Sequence, residues 1–86
     1  MKPLIIDVRE PFEYKMGHVA GALNLPPQVL MAGAKELENI AKETPLILYC
    51  KSGSRSNASI NILQQMGYTN LTNGVNKQQV EAKYGL

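Results

Sequence analysis

Leu46-Ile47-Leu48-Tyr49-Cys50-Lys51-Ser52-Gly53-Ser54-Arg55-Ser56 is the stretch whose reading decides how this chain of 86 residues folds. Four apolar residues after Pro45 read as a buried strand, and over residues 55–66 the apolar spacing changes to that of a helix. Cys50, the one cysteine of the chain, therefore stands where a strand ends and a helix is about to begin. Ligands of open α/β sheets bind outside the carboxyl ends of the strands. This turn is accordingly the candidate active site.

Outward from it, composition narrows the choices. A chain of this length reads as one domain over residues 1–86, with a thin core, because it buries only about 60–65% of the surface its unfolded form exposes. Hydrophobic residues at 44% and charged residues at 19% describe an ordinary globular protein. A net charge of +2 with no Lys/Arg block gives no support to a nucleic-acid or membrane surface. One Cys and one His exclude an internal disulfide and a dedicated structural zinc site, so no metal is expected. Met1-Lys2-Pro3-Leu4-Ile5-Ile6-Asp7 is too short in apolar residues for a signal peptide, which predicts a cytoplasmic protein with a reduced thiol. A mature exported form whose signal has been removed reads the same way.

The remaining elements follow in chain order. Residues 4–8 form an apolar run interrupted by Asp7 and predict a strand buried on both faces, with Asp7 and Arg9 near its carboxyl end. Residues 11–16 predict a brief helix opened by Pro11. Residues 19–25 predict a short strand that stops at Pro26-Pro27. Leu30, Ala34, Leu37 and Ala41 recur at helical spacing, predicting an amphipathic helix over residues 29–42 with Gly33 as its weak point. Gly67 suits the cap of the helix after the cysteine, residues 69–72 predict a last strand, Asn73-Gly74 a turn, and residues 77–84 a terminal helix. Strands alternating with helices predict an α/β fold: a parallel sheet of about four strands with helices on both faces and right-handed crossovers. The two most apolar strands, 4–8 and 46–49, should be central neighbours, which would bring Asp7 and Arg9 beside Cys50.

A thiol is a useful nucleophile only as a thiolate. Lys51 and Arg55 supply positive charge, the following helix offers the positive end of its dipole, and a Gly/Ser loop can turn backbone N–H groups inward around an anion. Gly53 permits the curl, and Ser52, Ser54 and Ser56 add hydroxyls without bulk. The competing reading, an inert small hydrophobe closing a strand, does not account for that setting. Asp7 and Arg9 admit two readings, a brace for the Cys50 loop or a plain ion pair at a strand end. Glu10 and Glu13 read as acids complementing a helix dipole, and His18 as a hydrogen-bonded turn residue.

Two blocks carry a family resemblance. Asp7-Val8-Arg9-Glu10-Pro11-Phe12-Glu13-Tyr14, followed by Gly17-His18-Val19-Ala20-Gly21-Ala22-Leu23-Asn24-Leu25-Pro26, resembles the Asp-Val-Arg-Glu and Gly-His-Ile-x-Gly-Ala-x-Asn-Ile-Pro signatures of the rhodanese-like (sulfurtransferase) family. Tyr49-Cys50-Lys51-Ser52-Gly53-Ser54-Arg55-Ser56 is similar to that family's active-site loop. The resemblance implies a small three-layer rhodanese-like fold, shortened at its N-terminus, in which Cys50 accepts a sulfane sulfur as a persulfide and passes it on. It implies a small anionic donor such as thiosulfate, held by Lys51, Ser52, Gly53, Ser54 and Arg55, with Asp7, Arg9 and Ser56 in support. The implied acceptor is cyanide or a thiol, a thioredoxin-like protein among them. Two alternatives stand beside this one: a non-catalytic persulfide carrier or interaction module, and a small phosphatase or arsenate reductase. The related cell-cycle phosphatases carry their arginine six positions after the cysteine, where this chain has Ser56, which favours sulfur over phosphate. The chain also departs from the family pattern after its last strand, with Asn73-Gly74-Val75-Asn76 where the family tends to show Gly-Gly and then an aromatic residue.

Overall fold

In the computed structural model, which describes residues 2–86, the chain runs β1 (Leu4–Asp7), α1 (Pro11–Lys15), β2 (Leu23–Asn24), α2 (Pro27–Met31), a 3-10 turn at Lys35–Leu37, β3 (Leu46–Cys50), α3 (Ser54–Gln65), β4 (Leu71–Asn76) and α4 (Lys77–Tyr84). All strand pairs are parallel and the sheet order is β2-β1-β3-β4, so β1 and β3 are the central neighbours that their apolar content predicts. Every residue of β3 is buried. Strand side chains alternate between faces, and the core divides accordingly. Leu46, Leu48 and Cys50 join Leu30, Ala34, Leu37 and Leu63 on one face, while Ile47 and Tyr49 join Val19, Ala22 and Val80 on the other. Burying a Leu or Ile contributes about 1.5–3 kcal/mol over leaving it exposed, which explains why the apolar run of β3 anchors the sheet.

Three expectations need correction. The strand expected over residues 19–25 shrinks to Leu23–Asn24: the Ala22 amide donates to the Val19 carbonyl at 3.0 Å, so residues 19–22 form a turn that alternation could not foresee. The helix expected over residues 29–42 ends at Met31, because Gly33 takes φ +117° and Ala34 φ +48°, angles that close one helix and start a separate 3-10 turn. Leu30, Ala34 and Leu37 are nonetheless buried as their spacing required, whereas Ala41 is exposed. The Asn73-Gly74 pair is not a turn but the middle of β4.

That last difference has a packing cause. The register runs Leu48↔Asn73 and then Tyr49↔Val75, so Gly74 is an extra residue bulged from the ladder. A Cβ at Gly74 would lie 2.5 Å from Val80 Cγ2 and 3.1 Å from Ile47 Cγ2. The bulge thus lets α4 press onto the sheet, and it leaves Val75 at φ +75°, an uncommon angle for a β-branched residue. Gly74→Ala is expected to cost about 1–3 kcal/mol through overpacking against a stiff valine. Urea unfolding checks this; an unchanged midpoint would show that the bulge does not depend on the missing side chain.

Candidate active site around Cys50

The last residue of β3 points its side chain to the α3 face because it follows Leu46 and Leu48 at period two. The chain then curls through Lys51 and Ser52 to Gly53, which caps α3 at φ +95° and ψ −10°, a left-handed geometry open to glycine. The curl turns the Gly53 amide back onto Cys50 Sγ at 3.0 Å, and the first turn of α3 sets Ser56 Oγ 3.6 Å from the same sulfur. Cys50 is only 2% exposed. Burial pushes the thiol up, but the hydrogen bonds that the ionised sulfur accepts from the Ser56 hydroxyl and from the Ser56, Ser52 and Gly53 amides outweigh it and bring the pKa down from 9.0 to about 7. Roughly half of such a thiol is thiolate at neutral pH, the form that reacts.

Cys50 also borders a cleft of about 300 Å³, lined with it by Arg9, Glu13, Met16, Lys51, Asn76, Lys77 and Gln78. Its cations are not equivalent. Arg9 is held by Asp7, with Nη2 to Oδ2 at 2.7 Å, and also donates to the Gly17 carbonyl at 2.7 Å. Lys77 pairs with Glu81 at 3.1 Å one turn along α4. Among the described residues, Lys51 is the cation of this cleft that has no ion-pair partner.

The structure puts Asp7 in register with Tyr49, next to Cys50, and places Arg9 on the cleft that Cys50 borders. Asp7 is fully buried and accepts hydrogen bonds from the Arg9 amide and side chain and, at 2.7 Å, from the Tyr49 hydroxyl. Arg55 differs from its expected place. Its guanidinium makes two hydrogen bonds with Glu13, at 2.7 and 3.1 Å, and does not line the cleft. That pairing holds the Glu13 carboxyl down to about 2, and Glu13 first, then the charge on Cys50 as a lesser contribution, raises Arg55. The Ser52 and Ser54 hydroxyls pair with each other at 3.3 Å on the exposed side of the loop, so Ser52 acts on the sulfur through its amide. His18 stands apart: its Nδ1 bonds the Tyr14 carbonyl at 2.8 Å and its ring stacks on Tyr14.

Sequence reasoning missed four participants. Glu13 is the first-turn acid of α1 that its position predicts, accepting from the Glu10 amide at 3.0 Å, and is in addition the partner of Arg55. Tyr49 donates to Asp7 and accepts from the Val19 amide at 3.0 Å. Lys77 reaches the cleft because the α4 N-terminus follows β4 directly. Asn73, read as a turn residue, braces the loop: Nδ2 donates to the Gly53 carbonyl at 3.0 Å and Oδ1 accepts from Ser56 Oγ at 2.7 Å. No signal in the sequence marked it, since the bulge that places it is a tertiary feature. Among the described residues no cluster of three or more His, Cys, Asp or Glu side chains converges as a metal site, and no helix is long and apolar enough to cross a membrane.

Comparison with known proteins shows the family and the fold. Residues 1–78 match the family described as Rhodanese-like domain. The chain is 39% identical over 74 residues to the thiosulfate sulfurtransferase PspE of Escherichia coli, covering 79% of this chain and 64% of that one. It is 36% identical over 72 residues to the uncharacterized protein YqhL of Bacillus subtilis, covering 84% of this chain and 55% of that one. The chain thus spans a little over half the length of these curated relatives. Among solved structures, a rhodanese with anions from E. coli superposes with a TM-score of 0.76 at 32% identity, covering 91% of each chain. If the cradle lowers the thiol as described, the rate of Cys50 alkylation by iodoacetamide should rise with pH to half its plateau near pH 7. A midpoint at the ordinary thiol value of about 8.5 would mean that the loop's donors do not reach the sulfur.

Proposed function

The chain belongs to the rhodanese-like domain family, and on that premise we propose that it is a sulfurtransferase that carries a sulfane sulfur on Cys50. The observation that carries this reading is the buried Sγ held by the Gly53 amide at 3.0 Å, on a residue that borders a cleft together with Lys51, Arg9 and Lys77. Such a site favours a small, soft, anionic donor. The relative PspE, named a thiosulfate sulfurtransferase, supports thiosulfate as that donor.

In the first half-reaction the Cys50 thiolate attacks the outer sulfur of thiosulfate. The S–S bond of the donor breaks, sulfite leaves with its electron pair, and a Cys50 persulfide forms. The anionic persulfide then forms on a sulfur that the Gly53 amide already holds, so that dipole need not reorganise as charge arrives. In the second half-reaction an acceptor, cyanide or a thiolate, attacks that outer sulfur, and the Cys50 thiolate departs with the electron pair. Thiocyanate or an acceptor persulfide is released, and the enzyme returns to its starting state by a ping-pong route. A thioredoxin-like protein belongs to the thiol class of acceptor.

The residues divide the work. Lys51, free of an ion pair, attracts the donor, while Arg9 and Lys77, which also line the cleft, add positive potential. Gly53 and Ser52 supply amides and Ser56 a hydroxyl. Ser54 opens α3 beside them. Arg55 acts mainly through Glu13, tying α3 to α1 and so holding the loop closed at one side. Neither a metal nor an organic cofactor enters any step.

Thiocyanate formation from thiosulfate and cyanide tests the proposal. Cys50→Ser is expected to reduce turnover to background. Lys51→Ala should raise KM for thiosulfate about two- to fivefold with little change in kcat, the scale of one exposed charge, and added salt should shrink that difference. Turnover surviving in Cys50→Ser removes Cys50 as the sulfur carrier, and an unchanged KM in Lys51→Ala removes Lys51 from the donor site.

A further inference from the structure

One hydroxyl proton near Cys50 has three claimants. Ser56 Oγ lies 2.7 Å from Asn73 Oδ1, 3.1 Å from the Gly53 carbonyl and 3.6 Å from Cys50 Sγ. A serine hydroxyl carries a single proton, so it serves one of them at a time. The Gly53 carbonyl is already supplied by the Asn57 amide at 2.9 Å and by Asn73 Nδ2 at 3.0 Å. Asn73 Oδ1 is the shortest contact, and its own orientation is fixed: Nδ2 is committed to Gly53, and Oδ1 also accepts from the Val75 amide at 2.9 Å. With the proton on the Asn73 side, Ser56 turns a lone pair toward the sulfur, an arrangement that suits a thiol donating S–H. A thiolate needs the opposite arrangement.

We infer that Asn73 is a positioning residue for Cys50: it holds the Ser56 hydroxyl proton, so that ionisation of the thiol requires that proton to turn from Asn73 Oδ1 to Sγ. Asn73 thereby sets how readily the sulfur becomes nucleophilic without touching the cleft. The bulge at Gly74 is what permits it, since Asn73 stays in register with Leu48 while Val75 shifts to Tyr49.

Four charged groups line the cleft, Arg9 and Glu13 from the β1–α1 segment, Lys51 from the loop and Lys77 from α4, and Arg55 of α3, outside it, interacts with the sulfur through its charge. Substitution of Asn73 changes none of them, which separates this effect from a general field. The inference bears on sulfur transfer through the proposed role of Cys50, but its test needs no sulfur donor. Failure of one therefore remains distinguishable from failure of the other.

The experiment is the pH dependence of iodoacetamide alkylation for the native chain, Asn73→Gly, Ser56→Ala and the double variant, each checked by thermal unfolding. Freeing the Ser56 proton is worth about one net hydrogen bond, so Asn73→Gly should lower the midpoint by about half to one pH unit. Ser56→Ala should raise it, and adding Asn73→Gly to Ser56→Ala should produce no fall. A midpoint that is unchanged or higher in folded Asn73→Gly, or the same fall in the Ser56→Ala background, overturns the inference. Should Asn73→Gly lose its structure, Asn73→Leu, close in volume and without an acceptor, is read against the same criteria.

Discussion

The buried carboxylate of Asp7 is the point on which the arrangement depends. It is fully buried at the end of β1, and it is satisfied by Arg9 through the amide, Nε and Nη2 and by the Tyr49 hydroxyl from β3. An unpaired charge there would be destabilising by about 3–5 kcal/mol, so β1 and β3 are locked in the register that aligns Asp7 with Tyr49. Burial, opposed by the Val19 amide and reinforced by Asp7, pushes the Tyr49 phenol up, which keeps it a donor. The residue after Tyr49 is Cys50. The same lock that orders the central strands therefore fixes where the sulfur leaves the sheet, and it holds Arg9 at the edge of the cleft.

From that fixed point the loop needs little more than geometry. Gly53 provides the one left-handed angle that returns an amide to the sulfur, and α3 supplies Ser56 one turn later. Most of the surrounding positive charge is already committed, Arg9 to Asp7, Arg55 to Glu13 and Lys77 to Glu81. Committed cations hold their positions and present a preorganised field, while Lys51 is exposed and, among the described residues, without an ion-pair partner. The result is a sulfur that is desolvated yet inclined to ionise, a combination that requires donors aimed at it rather than solvent.

Much of this was legible in the sequence because it depends on local pattern. The apolar runs of β1 and β3, the helix after Cys50 and the curl at Gly53 follow from period and residue type alone. What could not be read depends on contacts between distant segments. The helix of residues 29–42 kept its buried positions yet broke at Gly33-Ala34, since the spacing that marks a helix face also fits a helix and a separate turn meeting the same core. Asn73-Gly74 carries a turn signature but lies in β4, because Val80 and Ile47 leave no room for a side chain at Gly74 and the strand bulges instead of reversing. Arg55 was assigned to the donor by its charge and position. Its capture by Glu13, forty-two positions away, is a tertiary event.

The central claim is that Cys50 holds the transferred sulfur covalently, and the intact mass of the protein after treatment with thiosulfate tests it most directly. The account predicts a gain of one sulfur atom in the native chain, its loss on addition of cyanide, and no gain in Cys50→Ser. A native chain that gains nothing while still forming thiocyanate, or a serine variant that gains the same mass, would contradict it.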